Sequence, residues 1–163
     1  MIIGFSTSNS LLSRVIRRLT RSTISHTYFK FRAFDEEVII HANETGVNLD
    51  YYDKFRKKSI IVKEFLVDLN GKENTTISYL IKQLDQPYDY LAAIGSLWVF
   101  LNRALGKKVK NPLNKKYSYF CSELLLTALK IADWQGTENL DPHTTFPEDL
   151  MQFLNNHPKA KAL

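Results

Sequence analysis

Hydrophobic positions along the chain follow two periods, and the order in which the periods alternate predicts the fold. IIGFST (2–7) is a short apolar run that predicts a buried strand. In SNSLLSRVIRRLTRS the residues Leu11, Leu12, Val15, Ile16 and Leu19 recur at helical spacing, with Arg14, Arg17, Arg18 and Arg21 off that stripe. Ser8 or Ser10 is a suitable N-cap. HTYFKFRAF (26–34) and EVIIHA (37–42) are rich in β-branched and aromatic residues and predict two strands, joined by a tight hairpin at FDE. NETG (43–46) is a turn, VNLDYY a third short strand, and KSIIVKEFLV (58–67) a further strand.

The second half reads differently. After the loop DLNGKEN, Asn74 or Thr75 can cap a helix over TISYLIKQL, which Pro87 stops. YDYLAAIGSLWVFLNRAL (88–105) predicts another helix with a wide apolar face, followed by the polar loop GKKVKNPLNKKYS. FCSELLLTALKIADW predicts a helix that begins near the cysteine, and DPHTTFPEDLMQFL a last one with Pro147 at its first position. Strands first and helices afterwards predict an α+β domain with an antiparallel sheet, not alternating α/β. The expected domain is 1–155, with 156–163 as a polar C-terminal tail.

Composition narrows the class. Hydrophobic residues make up 44% of the 163 and charged residues 24%, as in a soluble globular protein with room for a core. One cysteine permits no internal disulfide, which fits a reducing compartment. The start MIIGFSTSNS lacks the features of a signal peptide, and the longest apolar stretch, 91–101, is shorter than a bilayer span. A cytoplasmic setting, bacterial or viral, is therefore expected. The net charge of +5 gathers in 13–22, 54–58 and 107–116. These clusters are either solvated faces or an attraction for an anionic partner such as a membrane surface. No nucleic-acid motif accompanies them, so no specific nucleic acid is expected.

Cys121 is the first candidate for chemistry. At a helix N-terminus, capped by Ser118, the orphan amides and the dipole favour a thiolate and can hold an oxyanion. A plain buried core cysteine is the alternative. A thiol nucleophile needs a base, and His26 and His41 lie on successive strands. A hairpin turning at Ala33–Phe34 sets them directly opposite, whereas a two-residue loop at Asp35–Glu36 separates them along the strands. One ring can then act as base and the other orient it. His143 is read as a loop residue and His157 as part of the tail. Cys and His lack zinc-ligand spacing, so no metal or cofactor is expected.

The ordered set SHTYFKF, VIIHANETGVNLD, QPYDYLAAIG, YFCSELLLTALK and TTFPEDL resembles the permuted branch of the NlpC-type papain-like cysteine hydrolases. That branch includes bacterial and viral amidases and the lecithin:retinol acyltransferase-like proteins. The resemblance runs from Ile3 to about Leu150 and rests on the order of the motifs, with the histidine strands before the cysteine helix. It implies a circularly permuted papain-like fold, an antiparallel sheet packed against helices that include the one bearing Cys121. It also implies Cys121 as nucleophile, His26 as general base and His41 as the group that orients it, with Glu44 as a fallback. Ser122, Tyr117 and Tyr119 are possible supports, the tyrosines as oxyanion donors or packing residues, while Asp89 and Glu123 match as structural residues. The implied activity is that of an amidase- or peptidase-like cysteine hydrolase forming a thioester acyl-enzyme. Its substrate would contain an amide or ester: a peptide, a wall fragment or a lipid. The alternatives are a lipid acylhydrolase or acyltransferase at an anionic membrane surface, and a binding module without catalysis on the same fold.

Overall fold

In the computed structural model, which describes residues 1–87, 102 and 120–163, the apolar runs of the first half become strands of one antiparallel sheet. β1 (Ile2–Thr7) leads into helix α1 (Leu11–Thr20), then β2 (His26–Ala33), β3 (Glu36–Asn43) and β4 (Gly46–Tyr51). The short helix α2 (Tyr52–Arg56) precedes β5 (Ile60–Val67). Helices α3 (Glu73–Lys82), α4 (Cys121–Ile131) and α5 (Pro147–Asn155) follow, and β6 (Ala160–Ala162) ends the chain. The sheet order is β4-β3-β2-β1-β5-β6, each neighbouring pair antiparallel. The α+β reading therefore holds, with helices α3 to α5 after the five main strands.

The period-two pattern assigns each strand two faces. Ile3, Phe5, Phe29, Ile40, Ala42, Phe65 and Val67 join Leu124, Leu125, Ala128 and Leu129 of α4 in the main core. Each of the larger side chains, the alanines excepted, contributes about 1.5–3 kcal/mol by leaving water. Trp134, just past α4, is fully buried, and its indole N–H donates to Asp68 O at 2.8 Å. On the other face Tyr28, Ile39 and Tyr52 pack with Phe55 and Ile61. There the Tyr28 hydroxyl and Lys30 Nζ both donate to the Glu64 carboxylate, at 2.7 and 2.9 Å.

Several elements depart from the sequence reading. The residues taken as a polar tail add β6 to the sheet beside β5, with Val67 opposite Ala160. His157 is not a tail residue either: its ring stacks on Trp134 at 3.9 Å. α3 starts at Glu73, with Lys72 and not Asn74 or Thr75 at the cap. α2 grows from part of the basic segment 54–58, where the aromatic Tyr52 and Phe55 supply the packing. The apolar stripe of α1 does not enter the core: Leu11 is 72% exposed, while Ser13 is buried. The expected helix over 88–105, with Asp89 in it, lies outside the described residues except for the helical, buried Asn102, and the loop over 106–116 lies outside them altogether.

Candidate active site

The hairpin fixes the histidines. β2 and β3 are joined by Phe34 and Asp35, whose φ values of 51° and 64° make a type I′ turn. The register is Ala33 opposite Glu36 and Phe29 opposite Ile40. This differs from the turn at Ala33–Phe34 by two residues, so His26 and His41 are diagonal and not directly opposite. Parity is kept, and both rings stay on one face. Their nitrogens meet, His26 Nε2 to His41 Nδ1, at 2.7 Å. Phe55 of α2 packs against both rings, with centroids 6.0 and 5.3 Å away.

The same diagonal step recurs on the next strand. His41 pairs with Asn48 and Ile39 with Asp50, so Asp50 lies on the histidine face. Its Oδ2 is 3.0 Å from His41 Nε2. The hydrogen bond to His41 holds the Asp50 carboxyl below its usual value, and Lys58 and Lys54 add to this. An ionised carboxylate only accepts hydrogen bonds. His41 Nε2 therefore carries the proton it donates to Asp50. One proton then lies between His26 Nε2 and His41 Nδ1; in the tautomer in which His26 Nε2–H donates it, His26 Nδ1 keeps its lone pair. Burial, with His41 beside it, pushes the His26 pKa well below 6.5, so this ring is neutral at physiological pH. Asn43 Nδ2 approaches His41 Nε2 at a longer 3.4 Å. The charge-assisted bond to Asp50 is the stronger one.

Cys121 comes from the other side. The ladder between β2 and β3 stops at Phe29 and Ile40, although the strands continue to His26 and Asn43. In this fork the backbone N–H of Thr27 is directed at the Cys121 sulfur, one residue along from His26. Cys121 is the first residue of α4, with Phe120 at the cap and the Glu123 carboxylate receiving the Phe120 N–H at 3.5 Å. Ser118, the expected cap, lies outside the described residues. The amides of Thr27, Ser122 and Cys121 all favour the thiolate, but burial outweighs them and pushes the thiol up to about 11. This corrects the expectation of a lowered thiol pKa: a helix terminus lowers it only where the sulfur stays hydrated or paired. Among the described residues no hydrogen bond joins the sulfur to either imidazole.

The remaining candidates separate. Ser122 is fully buried and donates to Thr145 O at 2.7 Å, tying α4 to the segment before α5. Glu44 lies in the β3–β4 turn and lines the groove described below, while Asp50 takes the place beside His41. Tyr117 and Tyr119 lie outside the described residues. His143 is not a bystander, since its Nδ1 lies 2.6 Å from the buried Glu123 carboxylate. Sequence reasoning missed Asp50, yet its signal was present: in VNLDYY it stands two places after the residue facing His41. A groove of about 650 Å³ runs past His26, His41 and Asp50, bounded by the start of α1, by Phe55 and by Lys54 and Lys58.

An antiparallel α+β sheet with a histidine pair where its inner strands β2 and β3 fork, and a cysteine helix behind it, thus defines the class of architecture. No family model matches the sequence, and no curated protein does. Among solved structures the chain is similar to the metalloprotein YiiX of Escherichia coli O157:H7, a DUF1105 protein. The two share 17% identity at a TM-score of 0.53, over 99% of this chain and 94% of that one. That likeness concerns the fold.

Proposed function

We propose that the chain is a cysteine hydrolase of the permuted papain-like type, which cleaves an amide or ester through a thioester on Cys121. The observation that carries this reading is the line of short contacts from Asp50 through His41 to His26, at 3.0 and 2.7 Å, which we read as directed toward Asp50. It leaves His26 Nδ1 as a base one residue from the amide that contacts the sulfur. The order of the histidine strands before the cysteine helix supports the permutation. With the thiol raised to about 11 and His26 neutral, the resting pair is uncharged. His26 Nδ1 takes the thiol proton as the sulfur attacks the carbonyl carbon. Amides at the start of α4 hold the oxyanion, and the proton passes to the leaving amine or alcohol. Water then attacks the thioester, with His26 as base again, and releases the acid and the thiol.

YiiX is called a metalloprotein. In this chain the facing nitrogens of His26 and His41 are bonded to each other. Among the described residues no group of three or more His, Cys, Asp or Glu side chains is placed to hold a metal. A second reading, a binding module without catalysis, is favoured by the buried thiol and by the missing hydrogen bond between sulfur and ring.

Turnover separates the two readings. A panel of p-nitrophenyl esters and anilides is hydrolysed by the wild-type protein and not by Cys121→Ala; equal rates for the two proteins would refute the proposal. Asp50→Asn is a finer test. An amide N–H turned to His41 Nε2 reverses the whole chain and puts the proton on His26 Nδ1, the wrong nitrogen. Turnover should fall ~10²-fold or more, with a melting temperature close to that of the wild type.

A further inference from the structure

Helix α1 is amphipathic in sequence but is mounted the wrong way round for a core helix. At 100° per residue Leu11, Val15, Leu12 and Ile16 span one arc, and Ser13, Thr20 and Arg17 lie opposite. The polar side faces the protein. Ser13 is buried, and its hydroxyl lies 3.2 Å from Thr7 Oγ1 and 2.6 Å from Ser25 Oγ, besides donating to Ser8 O at 2.8 Å. Arg17 reaches Ser8 O at 3.4 Å. The apolar arc faces out, with Leu11 72% and Val15 39% exposed, and its inner part, Leu12 and Ile16, lines the groove that holds His26. Arg14, Arg18 and Arg21 are exposed along one border of this arc. No acidic residue stands on α1, and among the described residues none of its arginines forms an ion pair.

An exposed apolar arc is costly in water, and three guanidinium groups beside it with no ion pair among the described residues define the complementary partner. We propose that α1 docks the protein on an anionic phospholipid surface. Leu11 and Val15 enter the boundary between headgroups and acyl chains, and Arg14, Arg18 and Arg21 lie against lipid phosphates. The helix then lies in the plane of the interface, and its apolar arc leads from the lipid into the groove beside His26. This inference stands on α1 alone and does not depend on the reading of Cys121.

Co-sedimentation with phosphatidylcholine vesicles, with and without phosphatidylserine, tests it. The wild-type protein should pellet with the serine-containing vesicles, stay in solution with phosphatidylcholine alone, and be released by high salt. Each arginine near the surface adds about fivefold to partitioning, so Arg14→Gln with Arg18→Gln should weaken it ~25-fold. Leu11→Glu with Val15→Glu should abolish it and leave the melting temperature close to that of the wild type, because neither residue belongs to the buried core clusters. Four results would overturn the proposal: no pelleting of the wild type, binding indifferent to lipid charge, a lowered melting temperature of the leucine–valine variant, or a dimer in solution that this variant dissociates. The third would mean that the chain itself covers the arc, and the fourth that a second copy does.

Discussion

His26→Ala will fold and will lose ~10²–10⁴-fold in turnover, the usual contribution of a positioned general base. The size follows from the sulfur. With its pKa near 11, Cys121 is ionised in only about one molecule in ten thousand at pH 7, so the spontaneous thiolate cannot replace the base. The pH profile carries a sharper signature. Wild-type turnover should be level through neutral pH, because His26 is already neutral there. The residual rate of the variant should climb about tenfold per pH unit toward 11. Stability adds an independent check. The unfolded imidazole takes up a proton near 6.5, while the folded ring refuses it until far lower pH. Folding thus loses stability as the pH falls below 6.5, and His26→Ala should flatten that slope in thermal melts. A variant with wild-type turnover, or with an unchanged pH profile, would remove His26 from the mechanism.

Gly4→Ala will destabilise the protein strongly. Gly4 lies opposite Tyr28, and a Cβ there would be 2.0 Å from Cζ and 2.3 Å from Cε2 and the hydroxyl oxygen of that ring. Tyr28 has nowhere to go. It is fully buried between the strands and α2, and its hydroxyl donates to Glu64. Moving the ring breaks that bond and strands a buried polar pair, which costs about 1–3 kcal/mol. The forced overpacking adds about 1–3 kcal/mol more. A domain of this size should then lose ~5–20 °C in melting temperature. The loss should carry over to activity, since Tyr28 packs on Phe55 and Phe55 covers both histidines. A melting point within a degree or two of the wild type would show that β1 and β2 yield easily, against the register described above.

The strands could be read from the sequence because they combine period-two patterning with β-branched and aromatic residues, as in β2 and β3. The cysteine helix could be read for the complementary reason, an apolar stripe starting at Phe120. The parity of His26 and His41 was legible as well, but their separation was not. Two adjacent turn positions give registers that differ by two residues, and only the positive φ of Phe34 and Asp35 selects one. Asp50 was hidden because a carboxylate at the start of a basic, tyrosine-rich segment looks like a solvated residue until β4 pairs with β3. β6 was hidden because three residues show no period. The charge state of Cys121 is not legible from the sequence because helix position is local and burial is not: the sulfur is buried, with the Thr27 amide directed at it, only in the folded chain.

The account stands or falls on a covalent intermediate. Wild-type protein mixed with an activated acyl ester and quenched in acid should gain one acyl mass, removable by neutral hydroxylamine and located by peptide mapping on the segment that contains Cys121. His26→Ala should gain it far more slowly. If the acyl group appears instead on a serine or lysine, or if no adduct forms while turnover continues, the thioester is not on the path and the sulfur at the strand fork serves only to pack it.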